Sequence, residues 1–190
     1  EHKALLEHAA FFGPRYYSST GPKHHPGGLL HYISTNISDA GGTFDKGELQ
    51  DYLRTGLLYG YKGRKALFAA PIVTQVLGEF LQDNWIMTGT DETYFGAKVD
   101  GVISSAYGGA QIPVFVKREW GAYSTASTQF GGYAFLVDLE NVKRRPLRDT
   151  KLAPNRQAND EDSVAEEYIT ETSFEIKREE THSIWRGVTG

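Results

Sequence analysis

The apolar positions change period along the chain, first at helical and later at strand spacing. Leu5, Leu6, Ala9, Ala10 and Phe12 recur as one helix face, with Glu7 and His8 between them, and Gly13-Pro14 stops the pattern. The pattern is already running at Glu1, which predicts the last turns of a longer helix with a further segment before it. Residues 14–28 hold prolines, glycines, serines and histidines and predict an irregular loop, followed by a short buried segment at Leu29, Leu30, Tyr32 and Ile33. Gly41-Gly42-Thr43 then leads into a helix. Asp45 with Glu48 three residues on has the form of a capping arrangement, Thr43 is an equal candidate for the cap, and Leu49, Leu53, Leu57 and Leu58 form the stripe. Gly60-Tyr61-Lys62-Gly63 is expected to end that helix. Lys65 to Ala70 predicts a short extended segment, and Pro71 suits the first turn of a helix with Ile72, Val73, Val76, Leu77 and Phe80 on its face.

From Tyr94 onward the period is two. Tyr94–Ser104, Gln111–Glu119, Gly132–Leu139 and Ile169–Arg178 predict strands, and the polar stretch 149–163 predicts a mobile excursion. Helices mostly first, strands mostly later, and one strand between two helices together imply an α+β fold. No internal repeat is visible.

Composition narrows this picture without supplying chemistry. The 190 residues suit one domain or two joined lobes, and 39% hydrophobic content with 13% aromatics is enough for a proper core. Twenty basic against 24 acidic residues argue against a dominant nucleic-acid-binding face. The absence of cysteine excludes disulfides and thiolate metal sites. No stretch is long and apolar enough for a membrane span, and no signal peptide is visible.

The search for reactive groups predicts no catalytic, cofactor-binding or metal-binding residue and no cofactor. His24, His25 and His31 form the one metal candidate. Adjacent residues rarely point the same way, no HExxH pair accompanies them, and a solvated loop cluster is the favoured reading. His2 and His8 suit a helix surface, and His182 a strand end or turn. No GxSxG elbow surrounds any serine, so Ser104-Ser105 and Ser124 to Ser127 are read as strand-end and turn residues. The carboxylates at Asp91-Glu92, Asp160 to Asp162 and Glu166-Glu167 suit solvated faces. Gly60 to Lys65 is basic and glycine-rich but lacks the phosphate-loop spacing, so a helix stop and turn is expected. Lys143, Arg144, Arg145 and Arg148 form a basic knot, and Tyr16-Tyr17 or Tyr59 with Tyr61 could stack on bases, yet no nucleic-acid motif accompanies them. The knot and the acidic run from Asp160 to Glu167 could close on each other or meet across a subunit contact.

Three stretches in order resemble the major capsid proteins of tailed bacteriophages. They are Gly27 to Asn36 followed by Gly41-Gly42-Thr43 and a helix, Tyr61 to Phe80, and Glu171 to Lys177 followed by Glu180 to Val188. Gly132 to Leu139 with Val142 and Leu147-Arg148 is similar to a strand pair of these proteins, and the last stretch to their C-terminal hairpin.

The resemblance implies a capsid-core unit over 1–190 with a peripheral and an axial lobe. The spine-helix end and peripheral start would span about 1–60, the axial lobe about 61–140, and the return to the peripheral lobe about 141–190. The family's N-terminal arm and long extended loop, which embrace neighbours, have no counterpart here, so a chain that is mainly monomeric or weakly associated by itself is expected. The resemblance also implies a non-enzymatic subunit of an icosahedral shell around double-stranded DNA, assembled in the host cytoplasm and residing in the virion. Its partners would be other copies in hexamers and pentamers, portal, scaffold or decoration proteins, and packaged DNA held non-specifically, with no membrane. The alternatives are an encapsulin-like bacterial nanocompartment shell and a small metal-dependent hydrolase using His24, His25 and His31. Trp185 is expected to anchor the C-terminal hairpin core with Ile176, Ile184 and Val188.

Overall fold

The computed structural model describes residues 9–13, 15–17, 24–42, 45–60, 63–82, 99–122, 130–154, 156–157 and 163–189. Among them a six-stranded mixed sheet organises the molecule, in the order β3-β10-β7-β4-β6-β5. Its members are β3 (Ile37–Gly42), β4 (Lys65–Ala69), β5 (Gly101–Ser104), β6 (Ala110–Val116), β7 (Ala134–Asp138) and β10 (Ser183–Val188). The β10–β3 and β4–β6 pairs are parallel, and the other three pairs are antiparallel. Both helices and strands build the unit, as α+β predicts.

The central strands show why their sequences do not alternate. All five residues of β7, Ala-Phe-Leu-Val-Asp, are buried, because the strand lies between β4 and β10 with both faces covered. On one face lies α2 (Lys46–Gly56), whose buried residues Leu49, Tyr52, Leu53 and Gly56 recur at helical spacing. Tyr52 stacks on Trp185 of β10 at 4.9 Å between ring centroids. On the other face a cluster of rings closes over Phe68 and Phe135. Phe11 touches both at 5.2 and 5.3 Å, and Phe12 and Trp120 each stand on Phe135 at 5.3 and 5.5 Å. Trp120 belongs to the turn α4 (Glu119–Ala122), which contacts α3 (Pro71–Gln82). Burying each such side chain contributes about 1.5–3 kcal/mol.

Several local expectations hold. Asp45 caps α2, its Oδ1 accepting from the Glu48 N–H at 2.8 Å. Pro71 opens α3, and β4 occupies 65–69. Thr43, the rival cap, lies outside the described residues, as do the 94–98 part of the predicted strand 94–104 and the tip residues 158–162.

Other expectations are corrected. The supposed loop 14–28 contains an antiparallel ribbon, β1 (Arg15–Tyr17) with β2 (His24–Pro26), because backbone pairing over three residues needs no apolar pattern. Leu29 to Tyr32 is the helical turn α1, with Leu29 buried and Tyr32 exposed. Leu58 and Ile72 are exposed, the first because α2 ends at Gly56 before the stripe reaches it. Glu119 opens a helical turn and does not end a strand. Residues 149–153 are not a loop but continue β8 (Val142–Ala153), which pairs with β9 (Glu167–Ile176). The C-terminal stretches therefore form no hairpin with each other. β9 pairs with β8, whereas β10 inserts between β3 and β7. Equally, Gly132 to Leu139 and Val142 to Arg148 are not partners.

Candidate assembly surface

Beside the sheet stands the β8–β9 ribbon, a two-stranded antiparallel unit that joins no other described strand. At its base Val142 faces Ile176, both partly buried against the core, and the Lys177 N–H donates to the Asn141 carbonyl at 2.8 Å. The charges along it are segregated by strand. β8 carries Lys143, Arg144, Arg145, Arg148 and Lys151 against Asp149 alone, whereas β9 carries Glu167, Glu171 and Glu175 and no basic residue. Cross-strand pairs lace the ribbon: Arg145 with Glu175, Arg148 with Glu171 at 3.5 Å, and Arg156 with Glu167 at 3.1 Å. Glu175, bonded by Arg145 and Lys177, has its carboxyl pKa lowered by them. Exposed pairs of this kind contribute only about 0–1 kcal/mol each. Toward the far end Leu152 faces Tyr168 across the strands, and both are exposed. Leu147 is 87% exposed and Val164 84%. Such side chains on a projecting ribbon suit a contact with another surface.

The basic knot is thus half of a strand pair. Its acidic partners are Glu175 and Glu171 of β9 for Arg145 and Arg148, and Asp149 of the same strand for Arg144, at 3.0 Å, while Asp160 to Asp162 lie outside the described residues.

A second polar cluster pins the ribbon's neighbour, the turn Glu179–Thr181, to the sheet. Lys65 Nζ donates to three carbonyls, Gly56 at 2.8 Å, Tyr59 at 2.9 Å and Thr181 at 2.7 Å. Burial pulls its pKa down to about 8, against the Asp138 carboxylate. These bonds use all three ammonium protons, so this amine is turned away from any phosphate at Gly60–Lys65. His182 is fully buried, and its Nδ1 accepts the Asp138 N–H at 3.1 Å. Burial lowers its pKa, opposed by the Lys177 backbone and Asp138. It stands between the turn 179–181 and the start of β10, the strand end its sequence position suggests, but buried. Glu179 accepts from the backbone N–H groups of Ser34 and Thr35, both at 2.6 Å, and from their hydroxyls at 3.0 and 2.7 Å. Burial raises its pKa, but these four bonds outweigh that and bring it to about 2. The Glu179 cluster escapes a sequence search because its partners lie about 145 residues away, and the Lys65 cluster because its acceptors are backbone carbonyls, one of them 116 residues away.

The remaining candidates form no cluster among the described residues. His31 is exposed at the end of α1, and the side chains of His24 and His25 lie outside the described residues, as do His2, His8, Asp91-Glu92, Ser124 to Ser127 and Tyr61. Among the described residues no three His, Cys, Asp or Glu side chains are grouped to hold a metal ion. Ser104 is buried with its hydroxyl unpartnered, and Tyr59 and Glu166 are exposed. No described helix is long and apolar enough to cross a membrane.

Residues 1–189 match the profile of the SU10 major capsid protein family. The chain belongs to that family. That family is a structural, non-enzymatic family of bacteriophage major capsid proteins. A solved structure from Gordonia phage Cozz is similar in fold, with a TM-score of 0.52 at 14% identity over 98% of this chain and 59% of that one. The chain thus spans less than two thirds of that relative's length. No curated protein sequence matches. The nanocompartment shell and the hydrolase find no support in these comparisons.

Proposed function

We propose that this capsid subunit self-assembles with copies of itself into hexamers and pentamers that tile an icosahedral shell around double-stranded DNA. The observation that carries the reading is the family match over 1–189. Shell formation depends on repeated complementary surfaces, not on a pocket with tuned acids and bases, and the exposed ribbon offers such a surface. Contacts with DNA are non-specific, since the formal charge of −4 leaves no dominant basic face. Portal, scaffold and decoration proteins are further partners, and assembly takes place in the host cytoplasm. The subunit carries out no catalysis and needs no cofactor.

Electron microscopy and sedimentation velocity of the full-length polypeptide test the proposal. Closed particles built from six- and five-membered rings are expected. A strictly monomeric protein at every concentration and salt would overturn it.

A further inference from the structure

The ribbon's two strands differ in more than charge. Along β8 the register slips twice: Pro146 faces Thr172, Arg148 faces Glu171, and Lys151 faces Ile169. Each slip places one extra residue in β8, and Leu147 bulges outward at the first. A proline and two bulges blunt this strand against backbone pairing with a newcomer. What β8 offers a neighbour is its side chains, and those are basic. Lys143 and Lys151 are exposed and make no ion pair among the described residues. On β9 the pattern is regular, without proline or glycine, and Glu167, Glu171 and Glu175 recur every fourth residue, so they share one face.

We infer that the ribbon is an interface between copies of this chain, in which the acidic row of one copy's β9 lies beside the basic row of the next copy's β8. The inference rests on the capsid reading for the identity of the partner, and on the ribbon's own charge pattern for the geometry. Setting β9 against the β9 of a two-fold mate would oppose glutamate to glutamate, and β8 against β8 would oppose lysine and arginine to their like. A head-to-tail arrangement instead sets the outer edge of the acidic row beside the basic row, in addition to the pairs each ribbon makes within itself. Head-to-tail contacts generate closed rings when their rotation closes. Exposed ion pairs set orientation more than strength, so Leu147, Leu152 and Tyr168 supply the apolar anchors of the same contact.

The experiment is a polarity swap in the full-length protein. Lys143→Glu, Arg145→Glu and Arg148→Glu are combined with Glu171→Arg and Glu175→Arg. The swap keeps the two cross-strand ion pairs inside the ribbon but inverts the sign of each row. Native and swapped subunits, carrying donor and acceptor dyes, are assembled each kind alone and also mixed before assembly. Each should assemble alone, while energy transfer between the two kinds falls about tenfold below that of native with native, because like charges now meet at every mixed contact. Random co-assembly would overturn the inference and leave the capsid reading standing. A native protein that forms no assembly at all would defeat the capsid reading itself. Should the swapped chain fail to fold, Lys143→Gln with Lys151→Gln removes two charges of the β8 row, breaks no ion pair within the ribbon and sets no like charge opposite Glu175. That variant should fold normally and lose ring formation, and unchanged assembly would overturn the inference.

Discussion

Trp185 lies 1% exposed in β10, its ring stacked on Tyr52 with an angle of 18° between planes. The same contact ties the sheet to α2, and burial raises the Tyr52 pKa so that its phenol stays neutral, bonded to Ser183. Trp185→Ala should therefore cost about 3–5 kcal/mol in urea unfolding, as truncations of buried aromatics do. Glu179 acts at the same scale by a different force. Its folded pKa of about 2 lies below the ordinary value of 4.5, so its contribution is complete above pH 4.5 and is lost as pH falls toward 2. Glu179→Gln should cost about 2 kcal/mol at pH 7, the scale of hydrogen bonds to a charged group. The difference between variant and native melts should shrink steadily between pH 4.5 and 2. The two residues differ in how readable they are. A tryptophan in an apolar strand announces its burial, whereas Glu179 stands in a charged turn and meets Ser34 and Thr35 only after about 145 residues of chain have folded back. The Lys65 amine is hidden for another reason: its three acceptors are backbone carbonyls, which no side-chain pattern marks.

At the scale of elements, α2 lies close to the sheet because Gly56 has no side chain. A Cβ there would stand 2.6 Å from Ser183 Oγ and 2.9 Å from a Leu136 methyl. Gly56→Val should cost about 1–3 kcal/mol through overpacking, even though valine is acceptable in most helix ends. A denaturation midpoint equal to that of the native chain would show that the helix can lift away without loss. Helix α2 itself was legible, because cap, stripe and length agree along one local segment. Strand β3 was not. Its sequence Ile-Ser-Asp-Ala-Gly-Gly has no alternation and little strand propensity, and it is a strand because β10 offers it a parallel edge. For β9 and β10 the extended state was readable and the partner was not. Two strands joined by a short charged turn suggest a hairpin, but the apolar run Ser183–Val188 is fit for a central position and β9 is only half-buried. Burial on both faces draws β10 into the sheet, leaving β9 to the equally polar β8.

For the whole molecule, the α+β class followed from the pattern, while the arrangement of strands required three dimensions. The ribbon's separateness from the sheet leads to a prediction about how the molecule is divided. No strand of the sheet pairs with β8 or β9, and the ribbon enters and leaves beside the Asn141–Lys177 bond, so its two ends are neighbours. Lys143 and Glu175 are direct partners across the strands, which places them where a two-residue Asn-Gly turn can close a hairpin. Replacing residues 144–174 by Asn-Gly retains Val142 and Ile176, the pair that packs on the core. What is removed is mostly exposed surface and ion pairs worth about 0–1 kcal/mol each. The shortened full-length chain should thus melt within about 2–4 °C of the native one, the shift that 1 kcal/mol produces in a domain of this size. Its near-ultraviolet circular dichroism should keep the Trp120 and Trp185 signals, since both rings lie in the sheet's packing. Assembly should fail, because both charge rows and the anchors Leu147, Leu152 and Tyr168 are gone. A shortened chain that still forms rings at native concentration would place the contact between copies on the sheet unit, and one that unfolds would show that the ribbon is part of the core's stability.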